Sequence, residues 1–193
     1  MPYQIKLTNA EAILTAVIRS RVQPKELSKF VPAACGEVWL FIRSAHLARP
    51  GRHTALYLDA GLVEVGAEVS ERFVGNDRVH CSQLPAGRVV TTTHLGPYAR
   101  LGDAHSEIRR WCAEHGHRLS SICWEIYGHW DESWSTDPSK IRTDVFHLLE
   151  DQKGYQRAAP NCQSREEICL GVFSFHKSVC GGRCVWSIGG FDA

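Results

Sequence analysis

The chain has 193 residues, of which 44% are hydrophobic and 22% are charged, and its formal net charge is +1 at pH 7. These proportions are typical of one globular domain or a small pair of domains. The near-neutral charge gives no electrostatic reason to expect nucleic acid as a partner. No apolar run reaches the roughly 18 to 20 residues of a membrane span, and the start lacks a signal-peptide pattern, so the sequence predicts a cytoplasmic protein.

The first part of the chain predicts two strands, a helix and a β-hairpin. Residues 4–8 and 12–19 have an extended pattern, and the second segment is rich in β-branched residues. From about residue 31 to 45, apolar side chains recur at helical spacing, which predicts an amphipathic helix. The segments 54–58 and 63–69 follow as short strands, and the strict alternation of the second one predicts that they form a hairpin.

The second part of the chain predicts a similar set of elements. An extended piece within residues 74–82 leads to a strand at 88–94. A helix is predicted from about 98 to 115, because a proline precedes it and an apolar stripe runs along it. Strands are then predicted at 122–127 and 142–149.

The order strand, helix, strand, strand therefore occurs twice, at about residues 12–70 and 86–149. Such a repeat predicts one βαββ unit used twice, with a site at the seam between the halves. The strand of Tyr57 corresponds to the strand of Glu125 in this pairing. Tyr57 is thus predicted to be the approximate pseudo-symmetric partner of the region around Glu125.

Glu125 is the main candidate for a functional residue. Successive side chains of a strand point to opposite faces, so Glu125 shares a face with Cys123 and Tyr127. A solvated glutamate on an ordinary half-buried strand is the simpler interpretation. However, Trp130 and Trp134 follow closely, and aromatic residues near one acid are typical of a pocket for a flat or cationic ligand.

The histidines form no recognised metal motif. The nearest set is His115, His117, His129 and His147. Because their spacing matches no standard zinc pattern, we expect no metal site and no cofactor.

Four cysteines occur singly within predicted helices and strands: Cys35, Cys81, Cys112 and Cys123. Cysteine in such positions usually behaves as a small buried apolar residue, and a cytoplasmic protein keeps it reduced. For Cys123, beside Glu125, no neighbouring base is evident from the sequence. An inert buried thiol is therefore expected rather than a nucleophile.

The sequence predicts two segments, a ligand-binding domain at 1–150 and a cysteine-containing extension at 151–193. The extension contains Cys162, Cys169, Cys180 and Cys184 together with His176. Their spacing is not that of the paired cysteines of a zinc ribbon. A poorly ordered extension is favoured, because glycine and serine are frequent and amphipathic periodicity is absent, while an added hairpin or a metal knot are alternatives.

A series of short motifs carries a resemblance to a known family. In chain order the motifs are Leu84-Pro85-Ala86-Gly87-Arg88, His94-Leu95-Gly96-Pro97-Tyr98, Trp124-Glu125-Ile126-Tyr127, Asp137-Pro138 and Ile141-Arg142-Thr143-Asp144-Val145. Over about residues 3–150 this series resembles the GyrI-like small-molecule-binding family. The same module occurs as the effector-binding domain of AraC-type and MerR-type regulators.

The resemblance implies an α+β fold with a pseudo-twofold antiparallel sheet. Two helices would cover one face of the sheet, and a ligand cleft would lie on the other. The family glutamate that projects into this aromatic-lined cleft matches Glu125. The resemblance further implies that Tyr57 and Tyr127 line the cleft, with Trp39 as an additional candidate.

The resemblance also implies a small-molecule partner that is lipophilic, and aromatic or cationic. Hydrolysis of a strained cyclopropane ring is an alternative, in which Glu125 acts as general base and Tyr127 or Tyr57 orients the substrate. A gyrase inhibitor, an antitoxin-like protein or the effector subunit of a transcription regulator is a further alternative. Direct binding to DNA is not expected, because no helix-turn-helix module is evident.

Overall fold

A computed structural model describes residues 2–48, 50–129 and 131–150. The predictions for Trp130 and for the extension at 151–193 lie outside these residues. The strands are β1 (Lys6–Ala10), β2 (Ile13–Arg21), β3 (His53–Tyr57), β4 (Leu62–Glu68), β5 (His80–Leu84), β6 (Gly87–Leu95), β7 (Leu119–Tyr127) and β8 (Arg142–Leu149). The helices are α1 (Leu27–Ser44), α2 (Leu101–Glu114) and the short α3 (Ser133–Thr136). Among the described helices, none is both long enough and apolar enough to cross a membrane.

The strands form one eight-stranded sheet in the order β1-β6-β8-β7-β3-β4-β2-β5, and every neighbouring pair is antiparallel. The two predicted βαββ units are β2-α1-β3-β4 and β6-α2-β7-β8. They meet where β3 pairs with β7, and from that junction the strands of each unit follow in the same order. This arrangement confirms the duplication and the pseudo-twofold α+β fold. The units are extended at the two sheet edges by β1 and β5.

Both long helices lie on the face of the sheet to which Glu125 points. Helix α1 packs on β2 and β4, and α2 packs on β6 and β8. Glu125 lies between its cross-strand partners Ala55 and Val145, which pack in the apolar clusters of α1 and α2 respectively. Directly opposed residues share a face of an antiparallel pair. Glu125 therefore points to the face that the helices cover, between the clusters of α1 and α2, and not to the opposite face on which the resemblance placed the cleft.

The opposite face of the sheet carries a separate apolar cluster that includes Leu56, Leu84, Val89 and Trp124. Strand β5 lies six positions from β6 in the sheet, although only two residues connect them. In a flat sheet six strand spacings would measure about 29 Å, whereas a two-residue link spans only about 10 Å. The sheet must therefore curl, which brings Leu84 and Val89 together and buries Trp124.

Helix α1 starts at Leu27, four residues before the predicted start at about residue 31. Its first turns contribute Leu27, Phe30 and Val31 to the apolar cluster beneath the helix. Pro32 lies inside the helix and lacks the amide hydrogen for one intrahelical bond. The helix nevertheless continues through Pro32, and its first turns pack partly buried side chains against the core.

Candidate functional site

Glu125 lies near the centre of the sheet and is only 5% exposed. Two tyrosine hydroxyls donate hydrogen bonds to its Oε2 atom, from Tyr127 at 2.6 Å and from Tyr57 at 3.1 Å. The duplication places Tyr57 at the end of β3, which is paired with β7. The predicted grouping of Tyr57, Glu125 and Tyr127 is thus present in the structure, and the interpretation of Glu125 as a solvated residue is wrong.

His105 of α2 supplies the third contact to Glu125. Its Nε2 atom lies 2.8 Å from Oε1 of Glu125, and its Nδ1 atom lies 2.9 Å from Nε2 of His147. A carboxylate only accepts hydrogen bonds, so a charged Glu125 requires a proton on His105 Nε2. A neutral His105 then accepts at Nδ1 from the Nε2 proton of His147. These three side chains form a continuous hydrogen-bonded chain from β7 to β8.

The environment keeps the neighbouring groups of Glu125 uncharged. Burial, and next the negative charge of Glu125, raises the pKa of both Tyr57 and Tyr127, so both remain hydrogen-bond donors. Burial lowers the pKa of His147 to about 3, with smaller contributions from His105 and Arg109. His147 is therefore a neutral imidazole at physiological pH.

Cys123 lies on the same face as Glu125 and is the cross-strand partner of both Tyr57 and His147. It is a free cysteine, as are Cys35, Cys81 and Cys112. Burial, together with the charge of Glu125, raises the pKa of the Cys123 thiol to about 11. A protonated thiol is a weak nucleophile, which agrees with the expectation that Cys123 is not a reactive cysteine.

The walls of the site come from both halves of the duplication. Tyr127 packs against the apolar cluster of α1 and against that of α2. The ring of Tyr98, which precedes α2, meets Tyr127 edge-on with 5.7 Å between the ring centres. Tyr57 meets His105 edge-on at 6.5 Å. On the α1 side, Cys35 packs against the same cluster as Tyr127. The result is an acid surrounded by aromatic rings at the seam of the two units.

The remaining aromatic candidates lie elsewhere. Trp39 contacts His53, with 5.7 Å between the ring centres, at the opposite end of β3 from Tyr57. Its assignment as a ligand-binding residue stays a prediction. Trp134 lies on α3, close to Gly128. A Cβ atom added to Gly128 would be 2.9 Å from the ring of Trp134.

Three of the four histidines that were considered as a set in the sequence lie in two different surroundings. His115 and His117 both stack on Trp111, at 4.1 and 5.4 Å between ring centres. His147 instead belongs to the group around Glu125.

A depression of about 910 Å³ lies at the β1 side of the sheet, away from Glu125. Its lining includes Tyr3, Thr93, Arg100 and Arg142. None of the residues around Glu125 lines this depression, so it is a separate surface feature.

His105 was not identified from the sequence, although a signal for it exists. Leu101, Ile108 and Cys112 form the buried stripe of α2. His105 lies four residues after Leu101 and three before Ile108, so it occupies that stripe. A polar residue inside an apolar stripe requires a buried partner, and in this structure the partners are Glu125 and His147.

Several solved structures share this fold. The chain superposes on the C-terminal domain of EcmrR with a TM-score of 0.62 and 22% identity, covering 78% of this chain and 99% of that one. SAV2435, whose structure was solved with bound tetraphenylphosphonium, gives a TM-score of 0.54 at 12% identity and coverages of 78% and 95%. A hydrolase encoded by lin2189 from Listeria innocua gives 0.52 at 11% identity and coverages of 76% and 91%. At these identities the likeness concerns the fold alone.

A search of curated proteins finds no match to this sequence. The model of the GyrI-like small molecule binding domain matches residues 3–149, which include both βαββ units and every residue around Glu125. The chain therefore belongs to the GyrI-like small molecule binding domain family.

Proposed function

We propose that the chain binds a lipophilic cation with aromatic groups in the gap between α1 and α2, and that Glu125 provides the opposite charge. The observation that carries this proposal is a buried carboxylate without a permanent cationic partner. Within the described parts of the chain, no lysine or arginine forms an ion pair with Glu125. Its contacts are Tyr57, Tyr127 and His105.

Other acids of the sheet differ from Glu125 in this respect. Glu64 is 2% exposed, and its carboxylate pairs with Arg19 at 2.5 Å. Glu68 and Asp144 share Arg52 at 3.1 and 3.4 Å. A buried charge is costly unless it is paired, so a cationic ligand would stabilise Glu125 more than these acids.

The aromatic walls suit the same ligand. Tyr57, Tyr98 and Tyr127 place rings around the carboxylate. The face of an aromatic ring attracts a cation by about 0.5 to 2 kcal/mol, with the larger values at desolvated positions. SAV2435 has the same fold and was solved with tetraphenylphosphonium, which makes this cation a suitable probe.

The test is calorimetric titration of the full-length protein with tetraphenylphosphonium and with neutral triphenylphosphine oxide. We expect Glu125→Gln to weaken binding of the cation by about 1 to 3 kcal/mol, or roughly 5- to 150-fold. Binding of the neutral compound should change little. Glu64→Gln, at an equally buried acid on the other face of the sheet, is the matched control. Equal affinity of the Glu125→Gln variant and the wild type for the cation would contradict the proposal.

Hydrolysis is a second candidate function, and one observation favours it. Tyr57, Tyr127 and His105 all donate hydrogen bonds to Glu125 and so fix the position of its carboxylate, as a general base requires. In such a reaction the water oxygen would bond to a strained ring carbon and a ring C–C bond would break. Glu125 would accept the water proton, and a tyrosine hydroxyl would hydrogen-bond to the group that receives the electron pair.

Mass spectrometry of a cyclopropane-bearing alkylator after incubation distinguishes the two functions. A hydrolase should yield a product heavier than the substrate by one water molecule, and Glu125→Gln should lower turnover by about 10²- to 10⁴-fold. A pure binder should return the compound unchanged. Wild-type turnover that persists in the Glu125→Gln variant would exclude Glu125 as the base.

A further inference from the structure

We propose that His105, Cys123 and His147 form a site for a transition metal ion, with zinc as the best match. The candidate ligand atoms of these three side chains all lie within 4.8 Å of one another. They come from three different elements, α2, β7 and β8. The site is adjacent to the proposed ligand cleft, so a bound metal ion and a cationic ligand would weaken each other's binding, and the metal is therefore tested alone.

The backbone already holds two of the three ligands together. Cys123 and His147 are directly opposed residues of the β7–β8 pair, so their side chains point to the same face. His105 approaches from α2, and its Nδ1 atom lies 2.9 Å from Nε2 of His147. Metal–nitrogen bonds of about 2.0 Å and metal–sulfur bonds of about 2.3 Å separate tetrahedral ligand atoms by roughly 3.3 to 3.6 Å. The two histidine nitrogens would have to move apart by about half an ångström, and any ligand atoms that now lie as far as 4.8 Å apart would have to approach by about 1.2 Å.

Glu125 orients His105 for this role. Its Oε1 atom lies 2.8 Å from Nε2 of His105, and the other ring nitrogen, Nδ1, faces His147. A carboxylate that accepts the second N–H of a metal-binding histidine is a frequent arrangement around zinc, because it fixes the ring and its tautomer. Tyr57 and Tyr127 in turn fix this carboxylate through Oε2.

The ligand types select the metal. Two imidazoles and one thiolate suit zinc and similar borderline-soft ions, whereas magnesium and calcium require oxygen ligands. His147 is already neutral, and on binding its Nε2 proton would move to Nδ1. The Cys123 thiol would lose one proton to solvent, so binding should become tighter as the pH rises. Three protein ligands leave a fourth position of the tetrahedron for water or a small anion.

Binding of Co²⁺ to the reduced full-length protein tests this site, because a thiolate ligand gives cobalt a charge-transfer absorption band. We expect the wild type to bind one equivalent more than either Cys123→Ser or His147→Gln. The extension has four cysteines of its own, so the measured quantity is this difference in equivalents. Cys81→Ser, at another free cysteine on a strand, should bind as the wild type does. Equal stoichiometry of Cys123→Ser and the wild type would overturn the proposal.

A second measurement covers the case in which a variant fails to fold. Crystals of the wild type exposed to Zn²⁺ should show an anomalous peak at the zinc edge between His105, Cys123 and His147. If a saturating zinc concentration gives no peak there, the three side chains are a hydrogen-bonded group only and the proposal is wrong.

Discussion

At the scale of single residues, Glu125 differs from the other buried acid, Glu64, in what compensates its charge. Glu64 has a guanidinium, from Arg19, whereas Glu125 has two tyrosine hydroxyls and an imidazole. Hydroxyl donors stabilise a carboxylate without cancelling its charge. The negative potential at Glu125 therefore remains available to a cation.

The two tyrosine contacts to Glu125 should differ in strength. The bond from Tyr127 is 2.6 Å long and that from Tyr57 is 3.1 Å. We predict that Tyr127→Phe lowers the free energy of unfolding by about 1.5 to 3 kcal/mol, the range for a hydrogen bond to a charged group, and that Tyr57→Phe lowers it by less. Urea denaturation measures both values.

Tyr98→Phe is the control for these variants, because the contact of Tyr98 with Tyr127 is made by its ring. It should change the free energy of unfolding least of the three. If Tyr57→Phe lowered the free energy of unfolding by more than Tyr127→Phe, the lengths of the two hydrogen bonds would not predict their relative strengths.

The sequence predicted Tyr57, Glu125 and Tyr127 as a group because duplication and strand alternation are properties of the chain itself. It did not predict His105, which reaches Glu125 from α2, a helix in the same half. Which helical side chain meets which strand depends on how α2 lies across β6 and β8, and this is set by tertiary packing. The pairing of Cys123 with His147 likewise depends on strand register.

At the scale of elements, Gly36 and Gly66 differ in whether the surrounding structure leaves room for a Cβ atom. Substitutions there therefore test backbone entropy and packing separately. Gly36 lies within α1, and a Cβ atom added there would have nothing within 4 Å. Gly66 lies within β4, and a Cβ atom there would overlap the backbone carbonyl of Ala16 on β2. The first position tolerates alanine, and the second does not without backbone movement.

We predict opposite signs for the two alanine substitutions. Gly36→Ala should raise the free energy of unfolding by about 0.5 to 1 kcal/mol, because alanine restricts the unfolded chain and favours the helix. Gly66→Ala should lower it by about 1 to 3 kcal/mol through overpacking. Thermal melts of both variants measure these changes, and destabilisation by Gly36→Ala would indicate a contact on that face of α1.

The elements themselves were largely predictable because periodicity is local. The alternation in β4 and the apolar stripe of α2 identified a strand and a helix with bounds close to those observed. The early start of α1 was missed, because the periodicity from residue 31 onward does not show that Leu27 and Phe30 also pack against the core. Side-chain alternation also cannot tell which face of a sheet its helices cover, so the position of Glu125 relative to α1 and α2 required the structure.

At the scale of the whole molecule, every strand that the structure describes lies within the region that the family model matches. Its order uses all eight strands, and β8 ends at Leu149. We predict that a chain ending at residue 151 folds cooperatively and binds tetraphenylphosphonium as the full chain does, because it keeps every described strand. Thermal melts and titrations compare the two chains. Insolubility or a non-cooperative melt of the shorter chain would show that residues beyond 151 belong to the core.

The central claim is that a lipophilic cation binds between α1 and α2 beside Glu125, and a co-crystal with tetraphenylarsonium tests it most directly. Arsenic replaces phosphorus in the same geometry and scatters anomalously, so a single peak locates the charge. We predict a peak next to the Glu125 carboxylate, with phenyl groups against Tyr57, Tyr98 and Tyr127. A peak in the depression beside Thr93 and Arg142, or only at scattered surface positions, would contradict the account.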